Sequence, residues 1–265
     1  MSWKSLPEYA LAAVADFLAP DTCHLCGALY DDGLVRRFAL GARARALTVP
    51  TVHTLAGLEL RTHPICACCA GGLREAQTPA AVDGIDVHSP FITDEALLRI
   101  IRVIKFSRYA ALATGAAAAI ACALKDTGAT LGDRPLLVPV PMDRRSLRRR
   151  GFNQSEKIAV DLGRTLGVRT GFGVIVKRHR TPPQSLTALE ARHANVCGAF
   201  VAVSRLSRGA DAIIVDDIVT SGATVIACAT ALKDAGARSV SVVCFGRSPR
   251  LDTAHGPHQT LFLQS

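Results

Sequence analysis

Two adjacent carboxylates, Asp216 and Asp217, lie in the stretch IIVDDIVTSGATV, which spans residues 213–225. The carboxylates offer hydrogen-bond acceptors, and the residues that follow offer donors. These are hydroxyl groups and, where the chain enters a helix, backbone N–H groups at the positive end of the helix dipole. The residues of this donor run are Thr220, Ser221, Gly222, Ala223 and Thr224. A compound that carries both neighbouring hydroxyls and a phosphate, such as ribose 5-phosphate, satisfies both sets of groups.

The apolar, β-branched run 212–215 predicts a buried parallel strand with the two acids at its carboxyl end. Open α/β sheets bind their ligands at that edge. The apolar run from Val225 predicts that a helix follows the small-residue turn. An alternative also fits this stretch: an ordinary strand and helix in which Asp217 and Thr220 are only caps.

An arginine-rich segment follows a second predicted strand, which covers residues 136–140 and is ended by its prolines. We expect this segment to be a loop, and residues 151–154 to turn into a helix that runs from Ser155. The arginines of the loop are Arg144, Arg145, Arg148, Arg149 and Arg150. At the ligand edge of the sheet they would meet a polyanion, whereas a charge run is otherwise usually a solvated surface.

A third predicted strand ends near Lys177, and a long polar loop broken by prolines follows it. The cations there that could reach an anion, or else remain solvated, are Lys177, Arg178, Arg180 and Arg192. With the final strand, 239–247, the pattern predicts at least four parallel βα units between residues 134 and 247.

Five cysteines cluster in the first quarter of the chain. Cys23 and Cys26 form one CxxC pair, and Cys66 and Cys69 form a second pair within CACC. Four thiolates at this spacing predict a tetrahedral zinc site, with reduced, buried cysteines as the alternative. Cys68 leaves the fourth ligand open, although a CxC pair is poor geometry for one ion. The gap between the pairs predicts short strands or a hairpin.

The chain carries 31 basic and 22 acidic residues and a net charge of +9. This surplus favours anionic partners, either phosphorylated metabolites or nucleic acid. Residues 6–17 predict an amphipathic helix rather than a signal peptide. The uncharged run 109–124 has only 16 residues, which predicts a buried helix rather than a membrane span. We therefore expect a cytoplasmic protein, in which disulfides are rare.

Residues 71–93 predict a linker, and Thr93 is the expected N-cap of the helix after it. A break is expected near residues 105–109, in KFSRY. We place the domain boundary near residue 90. The predicted domains are an N-terminal helix with a zinc-finger module, 1–90, and an α/β domain, 91–265.

The stretch VDDIVTSGAT resembles the phosphoribosyl pyrophosphate (PRPP) signature of type I phosphoribosyltransferases. Together with the CxxC pairs, VPVP, RRRGFNQ and KRHRTPPQSL, it makes the chain resemble the ComF family across nearly its full length. The resemblance implies a type I phosphoribosyltransferase fold, a central and mainly parallel sheet flanked by helices, with a small N-terminal zinc-binding module of four cysteines.

It also implies that Asp216 and Asp217 hold the ribose hydroxyls and that the loop 220–224 holds the 5-phosphate. The basic and amide side chains expected to complete the PRPP site are Arg150, Asn153, Gln154, Lys177 and Arg178. Mg²⁺ would accompany the pyrophosphate.

Three functions are consistent with this pattern. The first is a transferase that uses PRPP with an acceptor the sequence does not reveal. The second is a non-catalytic PRPP or nucleotide sensor. The third is a competence factor that binds single-stranded DNA and works with DNA-uptake proteins. Single-strand binders stack bases on aromatic side chains beside basic residues. The candidates are Phe106, Tyr109 and Phe152.

Overall fold

The structure is a computed structural model that describes residues 23, 25–28, 41–48, 51–55, 58–62, 65–106, 110–178, 199–203, 205–206 and 209–252. Its helices are α1 (Ala42–Ala46), α2 (Ala67–Gly71), α3 (Glu95–Phe106), α4 (Ala110–Asp126), α5 (Arg144–Arg150), α6 (Gln154–Leu166) and α7 (Ala223–Asp234). Its strands are β1 (Thr51–Leu55), β2 (Leu58–Thr62), β3 (Ala80–Val82), β4 (Ile85–His88), β5 (Phe91–Ile92), β6 (Pro135–Pro139), β7 (Arg169–Thr170), β8 (Ile175–Lys177), β9 (Phe200–Ala202), β10 (Asp211–Val219) and β11 (Ser239–Arg247).

A seven-stranded sheet organises the chain, in the order β3-β4-β11-β10-β6-β7, with β5 also paired to β11. All of these pairs are parallel except the one between β3 and β4. The longest strands, β10 and β11, are therefore central, and β10 carries the acid pair.

Both faces of the sheet are covered, which explains why β10 reads as an unbroken apolar run. Ile213 and Val215 point into a core that includes residues of α3, α4 and α6. Ala212 and Ile214 point into a second core that includes residues of α7 and β8. The prediction of a buried parallel strand is confirmed.

The N-terminal region packs against the first of these cores. Strands β1 and β2 form the hairpin expected between the two cysteine pairs. Cys23, Leu47 and Ile65 belong to the same apolar cluster as Leu97 and Ile100 of α3. Arg43 of α1 is buried, binds Asp126 of α4 at 3.0 Å and donates to the carbonyl oxygen of Ala76.

Three local predictions need correction. Residues 71–93 are not a linker, because they include β3, β4 and β5. The acceptor at the start of α3 is Asp94 rather than Thr93, since Asp94 Oδ1 accepts from the N–H of Leu97 at 2.9 Å. Strand β8 is outside the large sheet and pairs antiparallel with β9. The domain boundary near residue 90 stays a prediction, and β3 and β4, which precede it, extend the large sheet.

The alanine-rich run forms α4, a largely buried helix, as predicted. The helix α3 ends at Phe106 and α4 begins at Ala110, and the residues of the predicted break between them lie outside the described ranges. Within the ranges described above, no helix combines the length and apolar character that crossing a bilayer requires. The predicted N-terminal helix at 6–17 lies outside those ranges.

Candidate functional site

The acid pair lies within β10 and not after its end, because β10 continues to Val219 beside β11. This corrects the prediction that the strand ends at residue 215. One edge of β10 beside the acid pair is nonetheless open, as a ligand site at the end of a strand would require. Pairing of β10 with β6 stops at Val215, opposite Pro139, so the edge of β10 facing β6 is free of strand pairing from Asp216 onwards.

Asp216 is half-buried and receives two hydrogen bonds on the same oxygen. Ser155 Oγ, in the first turn of α6, donates to Asp216 Oδ1 at 3.0 Å, and the N–H of Asp217 donates to it at 2.8 Å. Burial and the neighbouring charge of Asp217 raise the pKa of Asp216 well above its usual value. The folded protein therefore destabilises the charged form of the Asp216 carboxylate.

Asp217 is buried, with 3% of its surface exposed. Its Oδ2 lies 2.6 Å from Lys105 Nζ, at the end of α3, and 3.4 Å from Gln154 Nε2, at the start of α6. Lys105 was not among the predicted site residues. No local motif marks it, and only the packing of α3 on the sheet brings it to the acid pair.

The turn after β10 leads into α7 as predicted. Gly222 precedes the helix with φ 78°, and a Cβ at this position would collide with Val82 of β3, so the position requires glycine. No side chain of the described residues caps α7. The first N–H groups of α7 are therefore open to an anion, and Thr220 and Ser221 beside them are exposed.

The arginine-rich segment is the helix α5, not a loop. Asp143 Oδ1 accepts from the N–H of Ser146 at 2.8 Å and Gly151 closes the helix with φ 79°, which are strong start and stop signals. None of its residues is buried. Beyond it, Asn153 caps α6, and Arg150 Nη1 lies 3.4 Å from Gln154 Oε1.

The four cysteines of the two CxxC pairs meet, with all four sulfurs within 4.8 Å of one another. Cys23 Sγ lies 3.8 Å from Cys69 Sγ, and Cys26 Sγ lies 3.8 Å from Cys66 Sγ. Zinc–sulfur bonds of about 2.3 Å require an edge of about 3.8 Å in a tetrahedron, so the cluster fits zinc.

Backbone donors around Cys23 favour a thiolate. The N–H groups of Leu25 and Cys66 lie 3.4 and 3.3 Å from its sulfur. Burial raises the pKa of the Cys23 thiol, but these N–H groups, together with the backbone and thiol of Cys26, outweigh burial and bring the pKa to about 7. The cysteines that the structure describes all carry free thiols.

A family model described as a phosphoribosyl transferase domain matches residues 149–254. The DNA utilization protein YhgH of Salmonella typhi is 31% identical over 239 residues, which cover 86% of this chain and 98% of that protein. This chain belongs to the YhgH family. YhgH of Escherichia coli strain K12 is 33% identical over 156 residues, 56% of this chain and 66% of that protein. The chain thus spans about two thirds of the length of that relative.

A solved hypoxanthine phosphoribosyltransferase from Staphylococcus aureus is 15% identical, with a TM-score of 0.32 over 55% of this chain and 68% of that one. Because this TM-score is low, the fold of this YhgH-family chain is assigned from its strand order and from the matched domain. The predicted fold class is confirmed: a mixed α/β domain of phosphoribosyltransferase type, with a mostly parallel sheet and an N-terminal four-cysteine cluster.

The remaining predicted site cations of this YhgH-family chain follow β8. Lys177 and Arg178 are both exposed, and Lys177 Nζ lies 5.9 Å from the ring centroid of Phe200. Burial raises the pKa of the Cys228 thiol on α7. The charge of Asp216 raises this pKa further, and the charge of Lys177 lowers it, so both charges act on Cys228. Arg180 and Arg192 lie outside the described residues.

Position within the helix decides between Cys68 and Cys69. Cys66 caps α2, and residues three apart share a helix face, so Cys69 points back to the cluster while Cys68 is exposed. We expect Cys69→Ser to release most of the bound zinc and Cys68→Ser to retain it, as measured by metal analysis of the purified proteins. Zinc lost from Cys68→Ser and retained by Cys69→Ser would reverse the assignment of the fourth ligand.

The exposed arginines of α5 are expected to supply affinity for polyanions. Replacing Arg148, Arg149 and Arg150 by alanine should weaken pyrophosphate or single-stranded DNA binding and flatten its dependence on salt, because fewer counterions are then released. Titrations at several salt concentrations measure both effects. Arg102 of α3, which is exposed, provides the control, because its replacement removes one charge away from α5 where the triple variant removes three. Equal salt slopes in all variants would show that α5 is only a solvated surface.

Proposed function

We propose that this protein is a ComF-type PRPP-binding member of the YhgH family. The observation that carries the proposal is the acid pair on β10 followed, after a short turn, by the uncapped start of α7. Acceptors for the ribose hydroxyls and donors for the 5-phosphate thus come from one continuous segment. The matched phosphoribosyl transferase domain, residues 149–254, includes all of this segment.

In this proposal Asp216 and Asp217 bind the ribose hydroxyls, and the backbone of Thr220–Thr224 binds the 5-phosphate. Hydrogen bonds to charged partners are the strong ones, so the acid pair supplies much of the affinity. The pyrophosphate is assigned to the predicted cations and amides at the end of α5, the start of α6 and the end of β8, of which Gln154 contacts Asp217. These are Arg150, Asn153, Gln154, Lys177 and Arg178.

One hydrogen-bonded chain supports this assignment of the pyrophosphate side. Arg150 contacts Gln154, and Gln154 in turn contacts Asp217, both at 3.4 Å. Asn153 Nδ2 donates to the carbonyl oxygen of Val140 at 2.9 Å, so it ties the end of β6 to the start of α6. The cation at the end of α5 is therefore connected to the proposed ribose-binding acids.

Mg²⁺ would supply countercharge to the pyrophosphate. Among the described residues the one cluster of candidate metal ligands is the four cysteines, whose sulfurs suit zinc rather than magnesium. We therefore propose that Mg²⁺ enters bound to the phosphates of PRPP, whereas zinc at the cysteines is structural. We also propose that the protein works in the cytoplasm.

Transfer would displace pyrophosphate from C1 of PRPP through a cationic state, and the acceptor stays unknown. Calorimetry with PRPP and Mg²⁺, compared with ribose 5-phosphate and pyrophosphate alone, tests the binding proposal. Tight binding of PRPP is expected, and no binding of PRPP or ribose 5-phosphate would contradict the proposal. Pyrophosphate release measured with a panel of bases and amines then separates a transferase from a non-catalytic PRPP or nucleotide sensor.

The second candidate function is binding of single-stranded DNA together with competence and DNA-uptake proteins. A groove of about 440 Å³ lies between the outer face of α6 and residues Leu147 and Phe172. Phe152 lines it, with Lys157 Nζ 4.9 Å from the ring centroid, and α5 borders it. The relatives are named DNA utilization proteins. Binding that weakens steeply with salt and with Phe152→Ala would support this function.

A further inference from the structure

Lys105 lies in the last turn of α3 and points at the acid pair from outside the matched domain. Its side chain is 23% exposed, while that of Asp217 is 5% exposed, so the ion pair is largely shielded from water. Ile101 and Ile104, in the same two turns of α3, are buried in the core. The apolar face of α3 therefore fixes the helix, and the helix delivers the ammonium group to Asp217.

Stability alone is a poor explanation for this ion pair. Taking two charges out of water costs about as much as their attraction returns, so a shielded pair adds little net stability. Two carboxylates on adjacent residues also repel each other. A cation beside one of them offsets this repulsion.

The contacts also orient the carboxylate of Asp217. Lys105 and Gln154 both contact Oδ2. Two contacts on one oxygen restrain the rotation of the Asp217 carboxylate. Asp216 is restrained in the same way, since Ser155 Oγ and the N–H of Asp217 both contact its Oδ1.

We propose that Lys105 is a positioning residue of the acid pair: through Asp217 it holds one carboxylate in place and balances its charge, ready to accept hydrogen bonds from a sugar diol. This inference rests on the proposed function, and it assigns a role in that site to a residue of α3. Lys105 itself does not contact the ligand.

The predicted signature is a shift in pH dependence. Protonated carboxylates are poorer acceptors for ribose hydroxyls, so PRPP affinity should fall as the acid pair takes up a proton. Without Lys105 that proton is taken up at a higher pH. Among the described residues, the titratable and charged groups around the pair are Cys228 on α7, Cys244 and Arg247 on β11, and Lys177 on β8, and the test leaves all four in place.

The test compares PRPP binding by calorimetry over a pH series in the full-length protein. Lys105→Met is expected to lose about tenfold or more in affinity at neutral pH, the usual effect of a lost hydrogen bond to a charged group. It should also lose affinity at a higher pH than the wild type does. Lys105→Arg should restore most of the affinity. Arg102→Met, an exposed position on the same helix, should stay within about twofold.

A double-variant cycle separates positioning from direct contact. If Lys105 acts through Asp217, Lys105→Met has little further effect in an Asp217→Asn protein, whereas a direct contact with PRPP would cost the same in both proteins. Wild-type affinity and an unchanged pH profile in Lys105→Met would overturn the inference while leaving PRPP binding intact. Absence of PRPP binding in the wild type would instead contradict the proposed function. Thermal unfolding of each variant confirms that the proteins compared are folded.

Discussion

PRPP binding is expected to fall by about a hundredfold or more when Asp216 and Asp217 are both replaced by asparagine. Each carboxylate can accept a strong, charge-assisted hydrogen bond from a ribose hydroxyl, and an amide accepts a weaker one. The variant also loses the negative charge opposite Lys105. Calorimetry on the folded double variant measures the loss. Wild-type affinity in that variant would remove the ribose assignment, and with it the proposed function.

The two single variants supply the folding control, because they should change stability in opposite directions. In Asp216→Asn the amide oxygen can still accept from Ser155 and from the backbone N–H, so the substitution removes only an unfavourable charge. We expect it to stabilise the protein by about 1 kcal/mol, or roughly 2–4 °C in the unfolding midpoint. Asp217→Asn leaves Lys105 without its partner and should cost about 1–3 kcal/mol.

The stabilisation expected for Asp216→Asn should depend on pH. The pKa of Asp216 is raised in the folded protein, so folding takes up a proton above the ordinary aspartate range. The wild type therefore loses stability as pH rises through the folded pKa of Asp216, whereas Asp216→Asn does not. The advantage of Asp216→Asn should grow with pH in thermal unfolding. If the stability of Asp216→Asn relative to the wild type instead falls as pH rises, the charge of Asp216 does not destabilise the folded protein.

Removal of metal should destabilise the whole chain and not only its N-terminal region. Four thiols meet at the cysteine cluster, and structural zinc in small modules contributes about 10–16 kcal/mol to folding at neutral pH. Cys23 and Ile65 share one apolar core with Leu97 and Phe245. Arg99 Nη2 also donates to the carbonyl oxygen of Leu25 at 3.1 Å.

A strong chelator is therefore expected to lower the unfolding midpoint of the full chain by roughly 10 °C or more. Differential scanning calorimetry measures the change. Cys69→Ser should unfold at the low midpoint with or without chelator, and Cys68→Ser should behave as the wild type. An unchanged midpoint after the metal is shown to be gone would mean that the cluster and the sheet are stabilised independently.

Local features of the site could be predicted from the sequence because neighbouring residues encode them. An apolar β-branched run predicts a buried strand wherever it packs, and Gly222 predicts the turn because the backbone there needs a positive φ. The paired CxxC spacing likewise predicts a four-thiol cluster before any partner strand is known. The α/β class followed from the alternation of such runs with helical segments, whereas the phosphoribosyltransferase type of fold followed from the family resemblance.

Other features depended on contacts between distant segments, and only the tertiary structure decided them. The arginine run is an exception, because Asp143 and Gly151, which begin and end its helix, are local signals that the prediction of a loop missed. The short strands β3 and β4 are too brief to predict alone and exist because β11 offers an edge.

Lys105 and Asp217 lie far apart in sequence, and the packing of α3 against the sheet alone joins them. The sequence therefore determined which groups we propose as ligands of a phosphorylated sugar. The tertiary structure decided which charge balances them, because side-chain patterns record local conformation but not the partners that folding brings into contact.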